Sequence, residues 1–307
     1  MKTAGIVACL LCLGIGANGE FTLEDDQKTL TVLENGAPVF AYNYAPVPVP
    51  ASVPATYVRS CYVHPLYGLD GQVVTQDFPK DHYHHRGLFW AWPECTVGGR
   101  RMDVWLAQDV KQRHRQWVAR DAGPDKAEIA VVNGWSFEDA PEKDVVREEV
   151  KLTALPADEK GRAIDFEINL TNVSDQLVVF EGAKNKGYGG LCFRPHADFK
   201  PFTFTTALGV SPKDALRCET PWADVSWTAG EKTSGLAIFQ HASNPGYPFP
   251  GWIFRHYAFL GVSWPHEQTH ELPPGQSFRL KYRVYVHRGN AAEATVAAAF
   301  EKYASSQ

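Results

Sequence analysis

The segment Ile164-Asp165-Phe166-Glu167-Ile168-Asn169-Leu170-Thr171 alternates strictly between apolar and polar residues. Successive side chains of a β-strand point to opposite faces, so this pattern predicts a strand with one buried face and one solvated face. Residues 278–284 repeat the alternation near the C-terminus, and residues 146–152 follow it less regularly. The chain is therefore expected to be built on a large β-sheet.

Shorter stretches of strand character follow one another along the chain, separated by turns rather than by helical segments. Strands joined by short turns pair antiparallel, because parallel neighbours need a long crossover connection. We therefore predict an all-β fold, a large antiparallel β-sandwich. The shorter predicted strands are residues 29–33, 39–42, 57–63, 88–92, 128–132, 177–181, 236–239 and 259–263.

One helix is predicted, and it lies at the C-terminal end. Asn290 is a residue type that caps helices, and Glu293 follows it three positions later, as in a capping box. The apolar residues that come next recur at helical spacing and would share one buried face. These residues are Val296, Ala299, Phe300 and Tyr303.

The first 19 residues have the features of a cleavable secretory signal. Lys2 precedes an apolar run over residues 4–16, and small residues lead up to Glu20. The apolar run is too short to span a bilayer, and too little apolar sequence precedes Cys9 for lipoprotein processing there. We expect residues 1–19 to be removed, residues 20–307 to form a single β-sandwich domain, and the protein to be exported to the periplasm or beyond.

Charge and composition argue against two kinds of partner. The net charge is −5 and no basic block occurs, whereas nucleic-acid phosphates require a concentrated positive patch. No stretch after residue 19 reads as a membrane span. Aromatic residues make up 12% of the chain and include nine Trp, a content that suits a β-protein core and also suits stacking on sugar rings.

Four cysteines would remain after removal of the signal. In an oxidising compartment they are free to pair, but four cysteines allow three pairings and the wide spacing selects none of them. Disulfides and free buried thiols both remain open. The residues are Cys61, Cys95, Cys192 and Cys218.

The most unusual segment is Asp81-His82-Tyr83-His84-His85-Arg86-Gly87. Histidine changes its protonation state near neutral pH and is the commonest metal ligand, so this concentration of imidazoles predicts a functional site. The nearby proline and glycine favour a loop. If the segment is extended, His82 and His84 share one face, and His85 lies on the opposite face.

Four segments together carry a family resemblance: residues 62–68 (YVHPLYG), 81–92 (DHYHHRGLFWAW), 239–245 (FQHASNP) and 271–289, which contain LPPGQ and YRVYVHRG. They resemble the secreted bacterial PmoA-like family, also called methane oxygenase PmoA, whose function is not established. Methane oxygenase is a protein of membrane helices, so alternating strands make that name a misnomer here. The last segment is also similar to galactose-mutarotase-like sandwiches, which implies a supersandwich fold.

Several residues are candidates for the chemistry of the site. His84 and His85 are predicted to transfer a proton, and Arg86 to steady a developing negative charge. Glu181 ends a predicted strand before a glycine-rich loop and is the candidate opposing base. Further residues are predicted to contact the substrate, and no metal ligands are assigned. The substrate contacts are His64, His82, Lys186, His241 and Arg255.

These features favour an exported carbohydrate-active enzyme that uses histidine and carboxylate acid–base chemistry on a glycoside or sugar, by cleavage, elimination or epimerisation. The sugar substrate is inferred from the mutarotase-like resemblance and the aromatic content. Two alternatives are a non-catalytic carbohydrate-binding protein and a divalent-metal-binding protein. No HExxH or comparable spacing supports a metal site, and any cofactor is unknown.

Overall fold

The computed structural model describes residues 20–306, which form three antiparallel sheets and one short α-helix. The prediction of an all-β fold with a C-terminal helix is confirmed. The predicted signal sequence, residues 1–19, lies outside the described residues, as do Cys9 and Cys12. We find no helix in residues 20–306 with the length and apolar character that crossing a bilayer requires.

The largest sheet has nine strands, with strands numbered in chain order. In spatial order they are β15 (Gly209–Ser211), β14 (Phe202–Thr206), β16 (Trp222–Ala229), β17 (Lys232–Gln240), β21 (Ser277–Arg288), β11 (Gly161–Asn172), β10 (Asp144–Ala154), β9 (Ala127–Phe137) and β8 (Val110–Ala122).

The second sheet has eight strands and adjoins the histidine segment. In spatial order they are β1 (Phe21–Asp25), β2 (Thr29–Glu34), β3 (Ala37–Asn43), β4 (Tyr62–Leu66), β5 (Leu88–Ala91), β13 (Gly190–Phe193), β19 (Phe259–Ser263) and β18 (Trp252–Arg255).

A third sheet has four short strands: β20 (His270–Leu272), β12 (Val178–Phe180), β6 (Cys95–Val97) and β7 (Arg100–Met102). The helix α1 spans Val296–Ala304, and single 3-10 turns occur at Ala55–Tyr57 and Ala197–Phe199.

Strand β11 shows why the two large sheets stack. The four even positions from Ile164 to Leu170 are at most 1% exposed, while the odd positions between them reach solvent, as the alternation predicted. Burial of apolar surface contributes about 25 cal/mol per Å². Phe166 packs edge-on against Trp90 of β5 in the other sheet, with ring centroids 6.3 Å apart. One continuous core therefore joins the two large sheets.

Several strands differ from the predictions, and β14 and β16 are among those that were not predicted. The longest strand, β8, was also missed, because it lies at the edge of its sheet and carries charged side chains instead of an apolar alternation. Charge on an edge strand discourages pairing with other chains. The predicted strand at 57–63 was wrong at its start, since Ala55–Tyr57 forms a 3-10 turn and β4 begins at Tyr62.

The capping box predicted at the C-terminal helix forms. Asn290 Oδ1 accepts hydrogen bonds from the backbone N–H groups of Ala292 (3.0 Å) and Glu293 (3.1 Å), and Glu293 Oε2 accepts one from Asn290 N–H (2.8 Å). The regular helix begins later, at Val296, because Thr295 has a φ of 52° that interrupts helical geometry. The buried face consists of Val296, Phe300 and Tyr303, with Ala299 partly buried.

The cysteines of residues 20–306 are all free thiols. Cys61, Cys95 and Cys192 are buried, and Cys218 is partly exposed. Burial raises the pKa of the Cys61 thiol to about 12 and raises the pKa values of Cys95 and Cys192 well above the ordinary range. Thiols with raised pKa values are poor nucleophiles, so these three behave as core residues.

A fully buried carboxylate connects β8, β9 and β10. Glu148 accepts hydrogen bonds from Gln112 Nε2 (2.9 Å), Asn133 Nδ2 (2.8 Å) and Trp135 Nε1 (2.8 Å). Burial raises the pKa of Glu148, and the hydrogen bonds from these partners oppose the rise. A polar group buried at this depth is stable only when it is hydrogen-bonded.

Glu148→Ala should therefore lower the free energy of unfolding by about 3 kcal/mol or more, because three buried donors lose their acceptor. The control is Glu149→Ala. Glu149 is the next residue along the strand. Its partly exposed carboxylate pairs with Arg147 and accepts one hydrogen bond from Asn169 Nδ2 (3.0 Å), so its removal should change stability by about 1 kcal/mol or less. Urea denaturation measures both variants. Equal losses would contradict the role assigned to Glu148.

Candidate functional site

A cavity of about 320 Å³ opens where five segments meet beside the eight-stranded sheet. They are the histidine segment, residues 93–94 after β5, residues 101–106, the glycine-rich loop between β12 and β13, and the turn between β18 and β19. This volume lies at the lower end of the range for small-molecule sites. The cavity collects histidine, cationic and aromatic side chains: His82, His84, His85, Lys186, Arg255 and Tyr257.

The histidine segment forms two successive turns. The backbone N–H of His82 donates to Pro79 O, and that of His85 donates to His82 O, both at 2.9 Å. Because the segment is not extended, the predicted separation of His85 from the other two histidines does not occur. The rings of His82 and His85 stack with centroids 4.7 Å apart, and His84 stands edge-on to His85 at 4.6 Å. The turns thus gather all three imidazoles at one cavity.

A buried arginine, Arg194, fixes the start of the histidine segment through Asp81. Arg194 is 1% exposed and donates from Nη2 to Asp81 Oδ1 at 2.7 Å. Burial disfavours ionisation of Asp81, but the hydrogen bond and charge of Arg194 outweigh it and lower its pKa. Arg194 Nη1 also lies 3.4 Å from His85 Nδ1. Since a guanidinium only donates, His85 Nδ1 is the acceptor, and the ring proton belongs on Nε2.

Two of the three imidazoles are neutral at physiological pH. Burial lowers the pKa of His84 to about 3, and the charges of His82 and Arg59 act in the same direction. Burial also lowers the pKa of His85 well below its ordinary value, with further contributions from His84 and Arg194. A neutral imidazole has one nitrogen that donates a proton and one that accepts, so both rings can take part in proton transfer.

His82 lies between a carboxylate and an aromatic ring. Its Nδ1 is 3.1 Å from Asp81 Oδ2, although the two groups are not aligned as a hydrogen bond. The ring stacks on Tyr257 at 4.9 Å with an interplanar angle of 14°. Of the three histidines, His82 is the one whose ring lies beside a carboxylate, and it is therefore our candidate for the proton acceptor.

The two carboxylates of the cavity both face Arg101. Asp103 accepts hydrogen bonds from Arg101 Nη2 (3.0 Å) and from the backbone N–H of Leu106 (2.8 Å). Burial raises the pKa of Asp103, against the effect of these two partners. The Glu94 carboxylate lies 3.9 Å from Arg101. Both acids therefore already have a cationic neighbour.

Arg86 lies away from the cavity. Its buried guanidinium is paired with Asp77, donates to the Tyr62 hydroxyl and to Tyr57 O (2.9 Å), and lies over the Phe78 ring at 3.6 Å. These partners occupy the guanidinium and fix the surrounding loop. The structure thus places Arg86 in support of the histidine segment, without access to a negative charge on a cavity ligand.

Three other predicted residues also lie outside the cavity lining. Glu181 Oε1 accepts a hydrogen bond from the Thr269 hydroxyl at 2.6 Å. His64 Nδ1 lies 2.9 Å from Thr75 Oγ1, and burial lowers its pKa. His241 lines a separate, smaller depression. The predicted residues that meet at the cavity are His82, His84, His85, Lys186 and Arg255.

Sequence reasoning missed Glu94, Arg101 and Asp103. Glu94 precedes β6, Arg101 lies in β7 and Asp103 follows β7. Each of these strands has three residues, too few to show a periodic pattern. Tyr257 had a weak signal, because it lies two residues after Arg255, a predicted substrate contact. Only the packing of the four-stranded sheet beside the histidine turns brings these residues to the same cavity.

A larger depression of about 620 Å³ lies elsewhere on the surface. Its lining includes no histidine. Its cations are Arg59, whose guanidinium donates to backbone carbonyls, and Lys111 and Arg113, which both lie near a carboxylate. Arg113 pairs with Glu138 at 2.6 Å, and Lys111 lies 3.7 Å from the same carboxylate while donating to Thr56 O and Val58 O. Size alone therefore does not favour this depression over the histidine cavity.

Within residues 20–306, no group of three or more His, Cys, Asp or Glu side chains is arranged to hold a metal ion. The histidines of the cavity contact one another through their ring faces and edges. The divalent metal left open by the sequence thus has no evident ligand set in the part of the chain that the structure describes.

Solved structures similar to this chain include three carbohydrate-related proteins. A mutant of the heparan sulfate lyase HepC from Pedobacter heparinus is 10% identical, with a TM-score of 0.40, over 90% of this chain and 36% of the lyase. An alpha-galactosidase from Lactobacillus brevis is 10% identical, with a TM-score of 0.43, over 90% and 39% of the two chains. A GalM/aldose epimerase homologue from C. elegans is 9% identical, with a TM-score of 0.34, over 89% and 100%.

This chain spans only about a third of the lyase that it matches. With all three TM-scores below 0.5, these similarities carry no argument about activity. No curated protein matches the chain.

One protein family covers most of the chain. Its match spans residues 29–301 and so includes the histidine segment, the glycine-rich loop and the β18–β19 turn. The description of this family states that its function is unknown. These comparisons give no support to the PmoA name. The chain belongs to the family of unknown function DUF6807.

Proposed function

We propose that this protein is an exported carbohydrate-active enzyme that performs acid–base chemistry on a sugar or glycoside. The observation that carries the proposal is the packing of His82, His84 and His85 into one cavity with Asp81 behind them. Export is inferred from the composition of residues 1–19, and the PmoA-like resemblance stays a prediction.

The geometry suggests distinct roles for the histidines. His82, beside the Asp81 carboxylate, accepts a proton from the substrate. His85, whose ring proton belongs on Nε2, donates a hydrogen bond to an oxygen of the substrate. His84 is neutral and packs against both rings, so it can donate or accept a hydrogen bond without adding charge. In this arrangement Glu181 and Arg86 do not touch the substrate.

Aromatic side chains support a sugar as the ligand. Tyr188 and Tyr257 are partly exposed and both line the cavity. The Trp105 ring lies 5.6 Å from that of Tyr188 and completes this wall. Aromatic faces pack against the C–H groups of a pyranose, and the tyrosine hydroxyls can bond to its hydroxyls.

The same aromatic wall favours a second candidate function, carbohydrate binding without catalysis. The two functions differ in what the imidazoles do. A binding protein needs only their shape and hydrogen bonds, whereas an enzyme needs a proton to move through them.

His82→Gln should therefore reduce turnover by about 100-fold or more, the usual contribution of a positioned acid or base, while the protein remains folded. The measurement is turnover of a broad panel of glycosides and oxidised sugars by the purified protein, with circular dichroism to confirm folding. The control is His196→Gln, since His196 is a partly exposed histidine outside the cavity lining.

Unchanged turnover in His82→Gln would show that this imidazole is not the proton acceptor. Sugar binding by the wild type without turnover of any substrate would favour the non-catalytic function instead.

The proposed chemistry also requires a neutral His84. Its pKa is about 3 in the folded protein and about 6.5 in an unfolded chain. Between these values the unfolded chain binds a proton that the folded protein does not, so the free energy of unfolding should decrease as the pH falls, by up to about 1.4 kcal/mol per pH unit. His84→Gln should remove this contribution to the slope. Urea denaturation at several pH values between 3 and 6.5 measures the free energy of unfolding of the wild type and the variant. Identical slopes against pH for the two proteins would contradict a buried neutral His84.

A further inference from the structure

The cations of the histidine cavity point to the charge of its ligand. We propose that the substrate is a sugar bearing an anionic group, a carboxylate or a sulfate, which Lys186 and Arg255 bind. The sugar in this statement rests on the proposed function, whereas the anionic group rests on the charges described below.

Lys186 is a rigidly placed cation without a counter-ion. The backbone N–H groups of Lys186 and Gly187 both donate to Ala183 O, at 3.0 and 2.7 Å, and close a tight turn. Gly187 has a φ of 73° and packs so closely on His266 that a Cβ would collide with the ring. Among the carboxylates of residues 20–306, none pairs with the Lys186 ammonium. The turn thus presents an unpaired positive charge to the cavity.

Arg255 is the second available cation. Its Nε lies 3.2 Å from Asp214, without hydrogen-bond alignment. The Asp214 carboxylate instead accepts a hydrogen bond from the His256 backbone N–H and lies 2.8 Å from His256 Nδ1. The Arg255 guanidinium lies 5.6 Å from the centre of the Tyr257 ring, on the cavity wall. Within residues 20–306 its terminal nitrogens make no hydrogen bond, so they remain available to a ligand.

A buried cation behind the cavity adds to the positive potential. Arg59 is 4% exposed and donates to the backbone carbonyls of Val104, Trp105 and His84, and it forms no ion pair with any carboxylate in the described part of the chain. Burial lowers its pKa to about 10, so the guanidinium stays charged at neutral pH. The nearby Asp103 carboxylate offsets part of this charge, and the remainder acts strongly because the region has a low dielectric. It favours an anion in front of His84 and Trp105.

The local acids cancel these charges only in part. Asp103 and Glu94 both lie next to Arg101, and Asp81 is bonded to Arg194. Asp214 is shared between Arg255 and His256, so it offsets part of the Arg255 charge and none of the Lys186 charge. His84 and His85 are neutral and add no positive charge of their own. Selection for an anionic sugar therefore depends on Lys186 and Arg255, while proton transfer is left to the imidazoles. Because other residues bind the anion, it does not need to contact the imidazole that accepts the proton.

The test compares matched sugars that differ only in charge. The probes are glucuronate with glucose, galacturonate with galactose, and galactose 6-sulfate with galactose, titrated into the purified protein by calorimetry or ligand-observed NMR. A charge-assisted hydrogen bond contributes about 1.5 kcal/mol or more, so at least one anionic sugar should bind about tenfold more tightly than its neutral parent. This preference should weaken as salt is added. Tighter binding of a uronate would identify a carboxylated sugar as the substrate, and tighter binding of galactose 6-sulfate would identify a sulfated sugar.

Substitution tests the residues named. Lys186→Met and Arg255→Met should each reduce the preference for the anionic sugar by about threefold if the two cations share a tenfold preference equally. Lys184→Met is the matched control, because Lys184 is an exposed lysine of the same loop that does not line the cavity. The proposal is overturned if no anionic sugar binds more tightly than its parent, or if Lys184→Met has the same effect as Lys186→Met.

The outcome is separable from that of the proposed function. His82→Gln should keep the preference for the anionic sugar and lose turnover. If neutral sugars are turned over with no preference for charge, the anion proposal fails and the enzyme proposal stands. If anionic sugars bind with the expected preference and none is turned over, the anion proposal stands and the enzyme proposal fails.

Discussion

Two ion pairs, each formed by a buried guanidinium, determine the shape of the site. Arg86 with Asp77 and Arg194 with Asp81 hold the two ends of the histidine segment against the eight-stranded sheet. A buried guanidinium is costly unless it is paired and hydrogen-bonded, so each pair strongly favours one position of the loop. Between them the chain closes into two turns, and those turns bring three imidazoles into ring contact.

The same burial that fixes the histidines also sets their charge. His84 and His85 are neutral because they are desolvated and face arginines rather than carboxylates. Positive charge at the cavity comes instead from Lys186 and Arg255, which extend from other loops. The cavity thus combines neutral proton-transfer groups with separate cationic groups, an arrangement suited to acid–base chemistry on an anionic sugar.

The parts of the fold that were predictable are those with local physical causes. Alternation over 164–171 marks a strand because one face must be buried, and the Asn290 capping box satisfies backbone groups within its own turn. Strand β8 escaped prediction because an exposed edge is kept charged rather than apolar. For the site, the histidine cluster was visible in the sequence. Arg86 was predicted to be catalytic only because it directly follows His85 in the sequence, and no sequence pattern pointed to Asp103.

By itself the amino-acid sequence determined which faces of the strands are buried and that imidazoles are concentrated at positions 82–85, because both follow from side-chain chemistry and short-range spacing. Only the tertiary structure decided that the segment turns rather than extends, that Lys186 and Arg255 reach the histidines while Glu181 and His241 do not, and that two of the imidazoles are neutral. The physical reason is that desolvation and the meeting of distant loops depend on how the sheets close, which no local pattern of residues records.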